Sequence, residues 1–509
     1  MTGHTRNPVR GGIGAQGELR TQAMTNISFQ RDENDLPLIV DLDRTLLRTD
    51  TLIEQFLILF LAAPPKALSA LRTLGRGKAA FKEAVIDLSP VSPDALVLNE
   101  ELLDYLLEQR EKGRPLHLIT AADQRVADAV AQKVGIFDKV IGSSDGHNLK
   151  GANKRDYLLE HFPDGFSYAG DSPSDLDVWR EARSAVLVGV NGATRRAVHA
   201  MDRHVEKDIP RPHAGARAWL RLFRVHQWSK NILVFVALIL SQQYGNLDAW
   251  LASLGGFLSM CLIASGTYIV NDIADIESDR QHRSKKFRPI ASGHIDAGLG
   301  LLVSAILIAA GLALGALTAF PALPLFGLYL LTTLAYSLAL KRIVLVDVFL
   351  LAILYTLRIM VGVLLVDGPV PHWLIMFSLF FFFSLSLAKR HVEIVTAAAA
   401  GDAPQTAIKG RGYRVGDAPF TLTLGIATNM VAILVLGLYV ASDIYPAENY
   451  GHPVWLWGIV SMVMIWSSRI WLLSHRGELD DDPVSFAMRD RTSGLIGLLT
   501  AIFFVLSII

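Results

Sequence analysis

"VNDIADIESDRQHRSKKFRPIASG", residues Val270 to Gly293, follows directly on a long apolar run. It opens with Asn271, Asp272, Asp275 and Asp279 and continues with Arg280, Arg283, Lys285, Lys286 and Arg288. The three aspartates fall at i, i+3 and i+7. At about 100° per residue that spacing sets them on one helical face. Carboxylates crowded there repel one another unless they share a cation, and hard oxygen ligands at this spacing suit Mg²⁺ bridging a diphosphate. A solvated acidic helix end is the bland alternative. It does not account for Asn271 and Asp272 abutting the apolar run, where an exposed charge is costly.

Outward from this stretch the chain is membrane-like. Apolar segments close to the length of about 20 residues that crosses a bilayer lie near 250–270, 298–319, 322–340, 343–366, 373–388, 419–441, 454–473 and 493–509. A weaker one, "NILVFVALILSQQYG", begins at Asn231 and brings the expected count to nine. The connections alternate in charge. Those near 241–250, 320–323, 367–372 and 442–453 have no Lys or Arg. The others carry Arg280 to Arg288, Lys341 and Arg342, Lys389 and Arg390, then Lys409, Arg411 and Arg414, and Arg476, Arg489 and Arg491. Positive residues stay on the cytoplasmic side, so the basic loops and the N-terminal half are expected there, in a multi-pass protein of the cell inner membrane. With nine spans the C-terminus ends on the far side.

Across 509 residues, 51% are hydrophobic, 19% are charged and the formal net charge is zero, which offers no case for nucleic-acid binding. Mean hydropathy is +0.35. That average conceals a soluble α/β half followed by the apolar half, and the length exceeds one ordinary domain. The single cysteine, Cys261, lies within an apolar run and has no partner for an intrachain disulfide. The first residues lack the apolar core of a signal peptide. Residues 1–35 read as a disordered tail, in which Met24 is an alternative start.

The soluble half carries four ordered signals. "LPLIVDLDRTLLRTDTL" is a short buried strand ending in Asp41-Leu-Asp43-Arg-Thr45. "PLHLITAAD" is a strand ending at Thr120, and "LKGANKRDYL" presents Lys154. "FSYAGDSPSDLDVW" is a strand ending at Asp171, with Asp175 four residues on. Acids at the carboxyl ends of parallel strands lie where such sheets bind ligands. This series resembles the haloacid dehalogenase (HAD) phosphohydrolases over residues 36–205. The resemblance implies Asp41 as nucleophile, Asp43 as general acid and base, Thr120 and Lys154 on phosphoryl oxygens, and Mg²⁺ held by Asp41, Asp171 and Asp175. Residues 50–110 read as a helical cap. Arg44 departs from the pattern, since the family usually has Gly there. A degenerate fold kept as a scaffold, or a domain that only binds or regulates, is the alternative to catalysis.

NDxxDxxxD after the second span resembles the UbiA family of intramembrane prenyltransferases, over roughly residues 220–509. Members usually carry a second acid-rich motif near the fifth span. In "SLALKRIVLVDVFLLAILYTLRIMVG" the sole acid is Asp347, among Lys341, Arg342 and Arg358. The stretches "FRVHQWSKN", "DRQHRSKKFRPIASG", "LYTLRIMVG", "FSLSLAKRHVE" and "RGELDDDPVSFAMRDRTS" are similar to the decaprenyl-phosphate phosphoribosyltransferase branch. That resemblance implies transfer of phosphoribose from phosphoribosyl diphosphate (PRPP) to a polyprenyl phosphate. Asp272, Asp275 and Asp279 would hold Mg²⁺ and the departing diphosphate. Asn271, Lys230, Lys285, Lys286, Arg288, Arg342, Asp347, Arg358, Lys389 and Arg390 are the candidate substrate-binding residues. The bland alternative for Arg358 is a buried pair with Asp347 or another acid. Histidines 226, 282 and 391 fit phosphate binding or structure better than proton transfer.

The expected architecture is therefore a HAD-like α/β Rossmannoid domain with a helical cap (36–210), a linker or interfacial segment (211–230), and an all-α UbiA-like domain of nine transmembrane helices (231–509). The fused phosphatase is expected to dephosphorylate the transferase product. A UbiA-type prenyltransferase acting on a polyprenyl diphosphate and an aromatic acceptor is the enzymatic alternative. A lipid transporter or scaffold is the alternative of another class.

Overall fold

The computed structural model describes residues 36–144, 148–212, 214–368, 372–401, 403–408, 410–442, 450–479 and 482–509. The tail expected over 1–35 and Lys409 lie outside these residues. The chain divides into two units. One joins residues up to Leu47 with Leu98–Arg211, and the other joins Arg48–Val97 with Pro212–Ile509.

The first unit is built on a six-stranded parallel sheet: β1 (Leu38–Val40), β2 (Leu116–Asp123), β3 (Lys139–Ser143), β4 (Ser167–Gly170), β5 (Ser184–Val188) and β6 (His204–Ile209), in the order β3-β2-β1-β4-β5-β6. In β1, "LIV", every residue is buried, as a central parallel strand covered on both faces requires. Leu38 pairs with Leu116 on one side and with Ser167 on the other. The strand order reverses between β1 and β4, and the crevice at their carboxyl ends is where doubly wound sheets take ligands. Beneath it lies a core of Ile39, Ile119, Leu158, Phe166, Tyr168 and Trp179. At the opposite, amino ends of the strands a buried Arg114 donates to Leu36 O (2.8 Å), Ser167 Oγ (2.5 Å) and Glu206 (2.7 and 2.9 Å). Arg114, Ser184 and Tyr105 hold Glu206 at about 2 against the opposing effect of burial.

Among the described residues the second unit has eight helices long and apolar enough to cross a membrane: Leu247–Ala274, Ala297–Thr318, Phe320–Leu338, Val346–Leu365, His372–Ala399, Val415–Ala441, Pro453–His475 and Arg491–Ile508. Among the described residues the expected ninth, from Asn231, is not a helix of that kind. Val225–Phe235 is 3₁₀-helical and only Val236–Leu240 is α-helical. This segment runs antiparallel beside Leu247–Ala274, with Arg224 on Asp272 at one end and Ala237 and Leu238 clustered with Ala249 at the other. Gly362 makes this fit possible, because a Cβ there would lie 2.1 Å from Val234 O.

The basic connections meet at one end of these helices. Lys341 bonds Asp275, Arg411 donates to Lys341 O, and Arg390 pairs with Asp347. Helices Thr51–Ala62, Pro64–Arg72 and Lys78–Leu88 also belong to this unit and share a small core of Leu59, Ala67, Ala70 and Val85.

Candidate functional sites

In the first unit the four expected motifs converge. Asp41 follows β1 and its N–H donates to Ala169 O on β4 (3.0 Å). Lys154, on helix Ala152–His161 and buried, lies 2.9 Å from Asp41 Oδ1 and donates to Tyr168 Oη at 2.8 Å. Tyr168 in turn donates to Asp175 Oδ1 at 2.8 Å, while Ser172 N–H and Oγ–H donate to Asp175 Oδ2 at 3.0 and 2.8 Å. Thr120 is buried inside β2, which runs on to Asp123 rather than ending at Thr120 as expected. It follows Ile119, after which the register with β3 shifts, and its Oγ1 accepts from Ala122 N–H at 3.1 Å. Asp43 is half-buried in the turn after β1.

Asp41, Asp171 and Asp175 offer carboxylate oxygens that all lie within 4.8 Å of one another. Burial, then the charges of Asp41 and Asp175, pushes Asp171 up to about 8, with Arg44 and Arg211 pulling the other way. Three acids this close with one lysine among them form a site short of positive charge, and a divalent cation fits it. Gly170 permits the approach, because a Cβ there would stand 2.7 Å from the Tyr168 ring and 3.0 Å from the Asp175 carboxyl group. Arg44 takes φ +60°, ψ 0°, the left-handed conformation that glycine adopts without strain. The departure noted in the sequence thus falls where the backbone asks for glycine.

In the second unit the acids do not line one helical face. Leu247–Ala274 ends before Asp275, whose ψ of 10° breaks the helix, and a new one runs from Ile276 to Arg280. The break relieves an electrostatic conflict. A continuous helix would hold all three acids at its negative end, whereas the restart places Glu277 and Asp279 in a first turn, where the helix dipole favours them. Arg288 donates to both Asp272 Oδ1 (3.0 Å) and Asp279 Oδ2 (2.6 Å), and Arg224 also binds Asp272. Asp275 turns aside to Lys341 (2.7 Å), which also reaches Asn271 Oδ1 at 3.2 Å. Burial raises Asp279, with Arg288 opposing and Asp272 adding. Asp272 and Asp279 fit as two ligands of one cation, and Asp275 is committed to Lys341.

Tyr268, one turn before Asp272, carries the Arg224 guanidinium 4.8 Å from its ring centroid. A second charged cluster lies in the same unit. Lys230 is 2.9 Å from Asp482, Tyr355 Oη donates to Asp482 at 3.1 Å, and Lys389 adds its charge. Burial would raise Asp482, but the two lysines prevail and hold it at about 2. Arg358 does not pair with Asp347. It donates to Asn231 Oδ1 and Tyr329 Oη, each at 2.8 Å, and stacks on Tyr329 and Tyr355. Asp347 is fully buried between Arg390 (3.0 Å) and Tyr413 Oη (2.9 Å). Lys285, Lys286 and Arg342 are exposed.

Arg224, Tyr268, Asp482 and Tyr168 were not singled out from the sequence. Arg224 and Asp482 stand inside "FRVHQWSKN" and "RGELDDDPVSFAMRDRTS", so the signal was present without a role attached.

Residues 232–489 match the UbiA prenyltransferase family. The chain belongs to that family. It is an integral membrane protein, and residues 38–180 match the haloacid dehalogenase-like hydrolases. An uncharacterized protein y4nM of Sinorhizobium fredii is 41% identical over 96% of this chain and 94% of its own length, so it shares both halves. The decaprenyl-phosphate phosphoribosyltransferase of Mycobacterium tuberculosis is 28% identical over 55% of this chain and 90% of its own. A solved UbiA homologue from Archaeoglobus fulgidus, bound to GPP and Mg²⁺, is 14% identical with a TM-score of 0.43 over 57% of this chain and 98% of that one.

Proposed function

We propose that the UbiA domain transfers phosphoribose from PRPP to a polyprenyl phosphate, and that the HAD-like domain removes the 5-phosphate from the product. The observation that carries this reading is the fate of Asp347. A second diphosphate site needs free carboxylates, and the sole acid of that stretch is sealed with Arg390 and Tyr413. One acidic site serves one diphosphate, and in this reading it belongs to the sugar. Similarity to decaprenyl-phosphate phosphoribosyltransferases supports the same donor and acceptor.

The chain's own groups suit each step. Asp272 and Asp279 would hold Mg²⁺, which supplies charge neutralisation for the leaving diphosphate. Lys341 and Arg288 are placed to hold its other oxygens and those of the sugar 5-phosphate. Lys230, Lys389 and Arg358 form a basic wall for the lipid phosphate, which is already anionic and attacks the anomeric carbon without a general base. The ribose ring gains oxocarbenium character as the diphosphate departs, and the nucleophile approaches from the opposite face. In the HAD-like domain, Asp41 attacks phosphorus to give an aspartyl-phosphate. Asp43 protonates the departing ribose oxygen and later takes a proton from the attacking water. Lys154 orients Asp41 and receives phosphoryl oxygens together with Thr120, while Asp171 and Asp175 would hold Mg²⁺ with Asp41. In this reading both sites work on the cytoplasmic side of the inner membrane, which the charge of the basic loops supports.

Membranes containing the protein, given labelled PRPP with polyprenyl phosphate, are expected to form a phosphoribosyl lipid. A parallel mixture of prenyl diphosphate and hydroxybenzoate is expected to stay unreacted, and transfer only in that mixture would overturn the reading. Asp41→Asn should make the 5-phosphorylated lipid accumulate. If it does not, the coupling of the two activities is wrong while the transferase assignment stands.

A further inference from the structure

Helix Thr51–Ala62 is seated on the membrane helices. Ile53, Phe56, Leu57 and Leu61 pack in one cluster with Ile269 and Ile273 of Leu247–Ala274 and with Leu301, Val303 and Leu307 of Ala297–Thr318. Glu54 receives a two-pronged bond from Arg280 at 2.7 and 2.8 Å, with both side chains at most 7% exposed. Arg280 also donates to Ala95 O (3.0 Å) and Ala291 O (2.9 Å), tying the far end of the segment to the same spot. The chain then turns at Pro64-Pro65 into Pro64–Arg72, whose Ala67 and Ala70 face inward onto Leu59 and Val85.

The outward face has an unusual composition. From Gln55 to Lys82 there is no Asp or Glu, against Lys66, Arg72, Arg76, Lys78 and Lys82. Lys66, Arg72, Arg76 and Lys78 are exposed, and among them stand Phe60, Leu68 and Leu74 at 40%, 54% and 46% exposure. Single exposed leucines are ordinary on a soluble surface. Three large apolar side chains set among bases, with no acid, on a segment bolted to the basic ends of membrane-crossing helices, have the composition of an interfacial element. The juxtaposition supplies both terms of such binding: apolar side chains for the acyl boundary and cations for anionic headgroups within a Debye length.

We propose that residues 60–78 rest in the headgroup layer of the bilayer that the same unit crosses, and that this contact prefers anionic phospholipid. The inserted segment is then a membrane-moored element, continuous through Leu47 and Leu98 with the loop that carries Asp41. This inference is independent of the substrates proposed above.

The test uses the full chain in nanodiscs of phosphatidylcholine with or without phosphatidylglycerol. A nitroxide is attached at Leu68→Cys or Leu74→Cys, while buried Cys261 stays in place. In anionic discs, collisions with oxygen should exceed those with a water-soluble nickel chelate several-fold. The quadruple change Lys66→Glu, Arg72→Glu, Arg76→Glu, Lys78→Glu should invert that ratio while leaving the Glu54–Arg280 seat intact. Nickel access at both positions as high as at exposed Leu107→Cys, in both disc types, would overturn the proposal. So would dipolar broadening that vanishes on dilution with unlabelled chain, since a second copy would then be the occupant.

Discussion

The two acidic sites solve the same electrostatic problem in opposite ways. In the sheet unit Asp41, Asp171 and Asp175 crowd together with Lys154 as the base at hand, and the excess charge raises Asp171 to about 8. In the membrane unit each acid is already answered: Asp272 by Arg224 and Arg288, Asp279 by Arg288, and Asp275 by Lys341. The first site is short of a cation before any substrate arrives. The second is neutral by itself, and an incoming diphosphate would draw its bases away and leave its acids to a metal. At the carboxyl ends of β1 and β4 the buried carboxylates share Lys154 and the hydrogen bonds of Tyr168 and Ser172. At the end of a membrane-crossing helix each acid instead has a basic partner, as a charge beside lipid requires.

The sharpest way to break this comparison is to remove one acid from each site. Asp41→Asn is expected to lower Mg²⁺-dependent phosphatase turnover by roughly 10³-fold or more, as loss of a nucleophile does, with transferase activity unchanged. Asp272→Ala should do the reverse, costing roughly 10²- to 10³-fold in labelled-phosphoribose transfer through lost electrostatic stabilisation. Loss of both activities in either variant would mean that the sites do not work separately.

Magnesium alone should tell the sites apart. Hydrogen exchange in peptides over β4 and the Asp171 turn should slow when Mg²⁺ is added without substrate, by up to about 2.7 kcal/mol at a hundredfold excess over its Kd. Peptides spanning Asp272 to Asp279 should respond to Mg²⁺ when a diphosphate is present and not before. Protection of the membrane site by Mg²⁺ alone would show that its bases do not occupy the cation's place.

Asp482 sharpens the same contrast through pH. Its folded pKa of about 2 lies below the ordinary aspartate value, a depression worth roughly 2 kcal/mol. A depressed carboxyl contributes fully above the unfolded value. That contribution should persist down to about pH 4 and disappear as the pH falls towards 2. Asp482→Asn, which leaves Lys230 and Lys389 facing each other, should remove a similar amount at neutral pH and flatten the acid limb of the thermal-unfolding profile. An unchanged acid limb would place the pairing outside the stability of the fold.

What the sequence disclosed follows the same division. Asp41, Asp43, Thr120, Lys154 and Asp171 were legible because each sits at a fixed place relative to a strand or helix end, and a parallel sheet brings those places together. The acids of the membrane unit were legible as a motif, while their partners were not. Arg224 is 48 residues from Asp272 and Lys341 is 66 from Asp275, and no local period announces such pairing. Helical periodicity also misread Asp275, because spacing alone does not include the cost of stacking acids at a helix C-terminus. The segment after Asn231 escaped for a related reason: hydropathy counts apolar residues and is blind to a 3₁₀ winding.

The smallest expected effect lies at Arg44, where the sheet site departs from its own family's pattern. A non-glycine residue at φ +60° costs about 1 kcal/mol. Arg44→Gly should therefore stabilise the Asp41 turn by up to that amount, read as slower exchange of residues 42–47. The same change removes a cation that lowers the pKa of Asp171. With one competitor gone, Mg²⁺ should bind this site more tightly, while the KM for a sugar phosphate rises because a positive charge near the phosphoryl group is lost. Strain relief without either change would mean that Arg44 is merely tolerated. Tighter Mg²⁺ binding together with a higher KM would mean that the strained backbone holds a substrate-facing cation in a site otherwise short of positive charge.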